Sequence, residues 1–139
     1  MPEFKLIGRD DPRFQRLDAF TQSYITAALF TEEERLGGTG TVAVQQLSDE
    51  LIHTMHQDCL EFQRRAHPIL ELETTKHRLQ DKHSLQEQAA HDFWMTRNGH
   101  GVGFWDGDWS EPAGSRLDEI AKAFPSVDLY RGDDGRIYS

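Results

Sequence analysis

Between positions 51 and 69 the chain places Leu51, Met55, Cys59, Phe62, Ala66 and Ile69 three or four residues apart, one continuous apolar stripe at helical spacing. The stripe commits this stretch to a helix with one buried face. Ser48 stands ahead of it as an N-cap, Asp49 and Glu50 supply acids to the first turn, and Leu47 is placed to staple onto Ile52. Pro68 has no N–H to give to the helix, so a kink or break is expected between Arg65 and His67, with a further turn through Glu73.

The same periodicity organises the rest of the chain. Asp11-Pro12 reads as an N-cap and a first-turn proline, followed by Phe14, Leu17, Phe20, Tyr24 and Ala28 in a helix ending near Thr31. The run from Glu32 to Gly40 reads as a turn, and Thr41 to Val44 as a short extended piece or a linker. Lys76 to His83 is a polar connection. Ser84 with Glu87 forms a capping-box pattern for a helix carrying Leu85, Ala89 and Phe93, and Asn98-Gly99 stops it as a left-handed C-cap.

Gly101 to Asp106 then reads as a strand whose glycines imply a bulge or a close backbone approach. Ser115 with Asp118 suggests another cap, for a helix through Leu117, Ile120, Ala121 and Phe124 that Pro125 ends. Val127 to Tyr130 and Arg136 to Tyr138 flank Gly132 to Gly135, a loop of the kind that closes a hairpin. The expected fold is α+β: a mostly helical single domain over 1–139, three to five helices with a small antiparallel sheet near the C-terminus.

The charge balance, 24 acidic against 15 basic residues for a net −9, repels phosphate backbones and attracts basic partners. Direct nucleic-acid binding is therefore disfavoured. Cys59 is the only cysteine, so no disulfide can form within the chain, and a reducing compartment fits. No apolar run approaches the ~20 residues of a membrane helix, and Met1 to Asp11 lacks the pattern of a signal peptide. A soluble cytoplasmic protein is expected.

The stretch His91 to Asp108, HDFWMTRNGHGVGFWDGD, concentrates what chemistry the sequence offers. His91, Asp92, His100, Asp106 and Asp108 are ligand types that metals accept, yet a helix ending in a glycine turn would use Asp92, Arg97, Asn98 and His100 to bond backbone and one another. The structural use is the stronger expectation. His53, His56 and Cys59 share helical spacing, but Cys59 belongs to the apolar stripe and no second cysteine pairs with it, so zinc is not expected. No G-x-S-x-G elbow is present, and the loop from Gly99 to Gly103 follows a helix where a phosphate cradle must precede one. A pocket lined by Phe93, Trp94, Phe104 and Trp105 is a further candidate, with core packing expected for at least two of them.

The His91-Asp92 doublet resembles that of HD-type phosphohydrolases, on two letters only. A longer resemblance runs through His91-Asp-Phe-Trp94, Thr96 to Gly101 (TRNGHG), Gly103 to Asp106 (GFWD) and Asp128 to Tyr138 (DLYRGDDGRIY). These motifs are similar to those of a family of small bacteriophage-encoded proteins of unassigned function. The likeness covers residues 84 to 138, extends loosely to Phe20 through Leu29, and is interrupted by Asp108 to Pro112 and preceded by the histidine-containing Lys76 to His83.

The resemblance implies a protein made in the cytoplasm of an infected bacterium, an accessory protein that binds and inhibits or redirects a host protein or protein–nucleic-acid complex. An anti-defence, anti-CRISPR-like inhibitor with an acidic surface is the leading expectation. It implies no catalytic residue, no cofactor and no metal. The alternative is a small metal- or nucleotide-binding enzyme or ligand-sequestering protein centred on the corner. Candidate binding residues are His91, Asp92, Arg97, Asn98, His100 and Asp106, and Trp109 under a third reading, as an exposed aromatic at the interface of an assembly factor or homodimer; the chain is expected to be a monomer or homodimer.

Overall fold

A computed structural model describes residues 6–37, 42–76, 82–100, 103–104 and 109–139. Its elements are α1 (Pro12–Gln15), α2 (Ala19–Leu36), a 3-10 turn (Val44–Gln46), α3 (Asp49–Lys76), α4 (Lys82–Arg97), α5 (Ala113–Lys122), β1 (Tyr130–Arg131) and β2 (Ile137–Tyr138). The fold is α+β and mostly helical, with a two-stranded antiparallel sheet near the C-terminus. No helix among the described residues is long and apolar enough to cross a membrane.

The caps at the start of the chain act as their sequence predicts. Asp11 accepts from the backbone N–H of Arg13 at 2.9 Å ahead of Pro12, and Ser48 Oγ accepts from Leu51 N at 3.0 Å. The first helix is split, however, by a turn at Arg16 to Asp18, and α2 then runs on through Glu32 to Leu36, where a turn was expected. Two forces extend it: Leu36 is buried, and Arg35 pairs with Glu32 one turn back at 3.0 Å.

Pro68 does not break α3 either, which is continuous from Asp49 to Lys76. Pro68 and Arg64, whose carbonyl loses its partner, both lie on the exposed side where water can serve it, while Phe62 and Ala66 hold the buried side. Lys76 and Lys82 are themselves helical, so the expected polar connection is shorter; 77–81 lie outside the described residues. The helix expected to open at Ser84 already runs from Lys82, and the one expected at Ser115 starts at Ala113, where Ser115 Oγ instead donates to Glu111 at 2.6 Å.

Buried side chains from all five helices join in a continuous cluster centred on aromatic rings. Phe62 of α3 stacks on Phe93 of α4 at 4.2 Å between centroids, and Phe20, Phe104 and Phe124 approach the same ring. Tyr24 of α2 meets both Phe93 and Trp94. The hairpin pairs Tyr130 with Tyr138 and Arg131 with Ile137, and Ile137 also bridges in parallel to Leu47, just ahead of α3. Ala43 bridges to Ile7 and so is extended at that point.

Candidate functional site

The corner after α4 is built by a Schellman turn. His100 N donates to Met95 O at 3.0 Å and Gly99 N to Thr96 O at 3.2 Å, with Gly99 at φ 67°, a conformation that glycine adopts without strain. Asn98 completes the joint, its Nδ2 donating to Trp94 O at 2.9 Å and its Oδ1 accepting from Val127 N at 2.7 Å. The side chain of Asn98 thus ties the helix end to the chain leaving α5.

Arg97 is buried, and its guanidinium acts as a hub. Nε and Nη2 donate to Pro125 O at 3.0 and 2.7 Å, while Nη1 donates to Tyr24 Oη at 3.1 Å and to Asp58 Oδ2 at 2.9 Å. Its carbon lies 5.3 and 5.4 Å from the ring centres of Phe93 and Phe124. Burial pushes the Tyr24 hydroxyl far above its usual range, so it stays neutral, and Asp58 is the charge that balances Arg97.

Asp92 is the second hub, 1 % exposed. Its carboxylate accepts from Trp109 Nε1 at 2.7 Å and from Gln88 Nε2 at 3.0 and 3.1 Å, and lies 3.0 Å from His91 Nδ1. A carboxylate only accepts, so the imidazole presents Nδ1–H to it. Trp109, expected as an exposed aromatic, is 7 % exposed because its indole N–H is drawn onto Asp92. His100 is exposed and stacks on Trp94 at 6.5 Å.

Of the expected strand from Gly101 to Asp106, only Gly103 and Phe104 are described, and they form a bend. The close approach that the glycines imply is present: a Cβ on Gly103 would lie 2.1 Å from Thr96 Oγ1, the atom that accepts from Phe104 N. Phe93, Trp94 and Phe104 are core residues, and Trp105, Asp106 and Asp108 lie outside the described residues. The structure therefore brings His91, Asp92 and Trp109 into one network, while Arg97 and Asn98 each bond the scaffold through partners of their own.

No group of three His, Cys, Asp or Glu side chains is placed to hold a metal ion among the described residues. Cys59 is fully buried, which raises its thiol pKa, whereas His53 is exposed beside an open groove of about 390 Å³ with Arg13, Arg16 and His56. The three candidate zinc ligands do not converge. Arg13 in turn is held by Asp11, Asp49 and the carbonyls of Leu47 and Val44.

A pattern among the arginines had no signal in the sequence. Arg13, Arg35, Arg97 and Arg131 each donate to a backbone carbonyl far along the chain: Leu47 and Val44, Leu129, Pro125, and Leu36. These groups staple segments together. Their partners lie 28 to 95 positions away, and no local spacing could announce them. Comparison with protein-family models, with curated proteins and with solved structures finds no match.

Proposed function

We propose that the chain is an accessory protein that works by binding, an acidic inhibitor that occupies the basic cleft of a host protein or protein–nucleic-acid complex. The observation that carries this reading is the use of arginine. Arg13, Arg35, Arg97 and Arg131 each bond a backbone carbonyl of a distant segment, while Asp10, Glu34, Glu50, Asp128, Asp133 and Asp134 stand exposed. With a net charge of −9, part of the chain's positive charge is bonded into the scaffold, most fully at the buried Arg97. Such a surface competes with nucleic-acid phosphates for a cationic groove, and its association is fast and sensitive to salt. The resemblance of its motifs to those of small phage-encoded proteins makes a defence complex of an infected bacterium the expected target.

A second reading, a small enzyme or ligand-sequestering protein, draws on the buried Asp92 behind the half-exposed ring of His91, an arrangement that orients an imidazole for proton transfer. The first is favoured because Arg97, Asn98 and Trp109 are bonded to the fold. A competition assay decides between them. The purified chain is titrated into host nucleic-acid-directed complexes carrying labelled DNA or RNA. Displacement that weakens steeply with added salt is expected, whereas no displacement together with turnover of a nucleotide would establish the second reading.

A further inference from the structure

The hairpin is tied to the helical body by several hydrogen bonds. Its inward pair, Arg131 and Ile137, anchors it: Ile137 is buried, its carbonyl accepts from Ser48 N at 3.0 Å, and Arg131 donates to Leu36 O at 2.8 Å and to Gly135 O at 2.7 Å. The preceding residue, Leu129, is buried and receives Arg35 on its carbonyl at 2.8 Å. The bonds with Ser48, Leu36 and Arg35 tie the hairpin to the helical body, whereas the Arg131–Gly135 bond is exposed and closes the hairpin on itself.

The outward pair is aromatic. Tyr130 and Tyr138 face one another across the strands, stacked at 5.9 Å and 25°, and Tyr130 is 53 % exposed. Tyr138 is fixed by donating its hydroxyl to Asp134 Oδ2 at 2.5 Å, and Asp134 also receives Arg136 N at 2.9 Å. Gly132 makes this possible, since a Cβ there would lie 2.7 Å from the Tyr138 ring. The hydrogen bond to Asp134 pushes the Tyr138 hydroxyl above its usual range, the charge of Glu50 adds to this, and Asp128 and Asp133 are exposed on the same hairpin. Arg131 is turned onto carbonyls, which leaves Arg136 as the hairpin's other cation.

Resting on the reading of the chain as an acidic inhibitor, we infer that this outward face is its contact element, with Tyr130 on Tyr138 beside Asp134 receiving arginine side chains of a protein partner's nucleic-acid-binding segment. A guanidinium stacks flat on a tyrosine ring and bonds a neighbouring carboxylate through its fork, a combination that lysine meets less well. A ring held as Tyr138 is by Asp134 loses little freedom on binding, and tyrosine recurs in contact surfaces for this reason. Nucleobases also stack on tyrosine, but Asp128, Asp133, Asp134 and Glu50 repel the phosphates that accompany them.

The test uses the full chain and a short arginine-glycine repeat peptide, followed by the tyrosine ring resonances and by the affinity. The Tyr130 and Tyr138 signals are expected to shift. Tyr130→Ala should weaken binding about tenfold, Tyr130→Phe should keep it, and a lysine-glycine peptide should bind less well than the arginine peptide. Glu119→Gln, which removes one exposed charge from α5, is the control for unspecific attraction and should change affinity far less. Equal effects of Tyr130→Ala and Glu119→Gln, or preferential binding of single-stranded DNA, would overturn the assignment. If the peptide ignores Tyr130 while the parent chain still displaces nucleic acid from a host complex, the hairpin assignment fails and the inhibitor reading stands.

Discussion

The corner after α4 and the C-terminal hairpin are both dense in aromatic and charged side chains, and they use them in opposite ways. At the corner, Arg97 and Asp92 point inward and are saturated by Pro125, Tyr24, Asp58, Trp109, Gln88 and His91. On the hairpin, bonds with Ser48, Leu36 and Arg35 hold one side to the body, and Tyr130 is presented outward. Polar density alone is thus a poor guide to function. Where the groups end, on the scaffold or in solvent, separates a joint from a surface.

The largest effect should come from the corner. Arg97→Ala removes four donated bonds and strands Asp58, the Tyr24 hydroxyl and the Pro125 carbonyl, so unfolding in denaturant should show a loss of about 3–5 kcal/mol. A smaller cost would show the hub to be replaceable. Asp92→Ala leaves the buried Trp109 N–H without its acceptor and should cost about 2–4 kcal/mol, with increased solvent quenching of tryptophan fluorescence as a second readout.

Gly103→Ala tests the close approach to Thr96 and should cost about 1–3 kcal/mol, because the added Cβ would meet Thr96 Oγ1 at 2.1 Å on a backbone at a positive φ of 149°. Asp11 gives a smaller and pH-dependent effect. Its hydrogen bond from Arg13 holds its carboxyl below the ordinary 3.8, so its contribution is present above that value and lost as pH falls through the lower folded one. Asp11→Ala should therefore cost about 1 kcal/mol near neutrality and less in acid, read from thermal unfolding across that range. Tyr130→Ala should be the mildest, about 0.5–1 kcal/mol from the lost stack, while changing binding most.

The sequence revealed local features and concealed distant ones. The Ser48 cap, the stripe from Leu51 to Ile69, the Asn98-Gly99 stop and the hairpin around Gly132 to Gly135 depend on neighbours within a few residues, and they are where the spacing puts them. The extension of α2 through Leu36 and the survival of α3 across Pro68 depend on burial, which spacing does not report. Tyr24, Asp58, Gln88 and Pro125 carried no mark as partners of the corner. At Trp109 a tryptophan beside polar residues suggested exposure, when its indole N–H had a buried acceptor 17 positions back.

If the corner after α4 is scaffold, function lies outside it. The most direct measurement takes His91→Ala and His100→Ala and follows thermal unfolding and displacement of nucleic acid from the host complex side by side. His100 is exposed and His91 half-exposed, so both proteins should fold, and both should retain displacement in proportion to the folded fraction. A variant with its unfolding temperature intact and its activity abolished would place function at the corner and contradict the account.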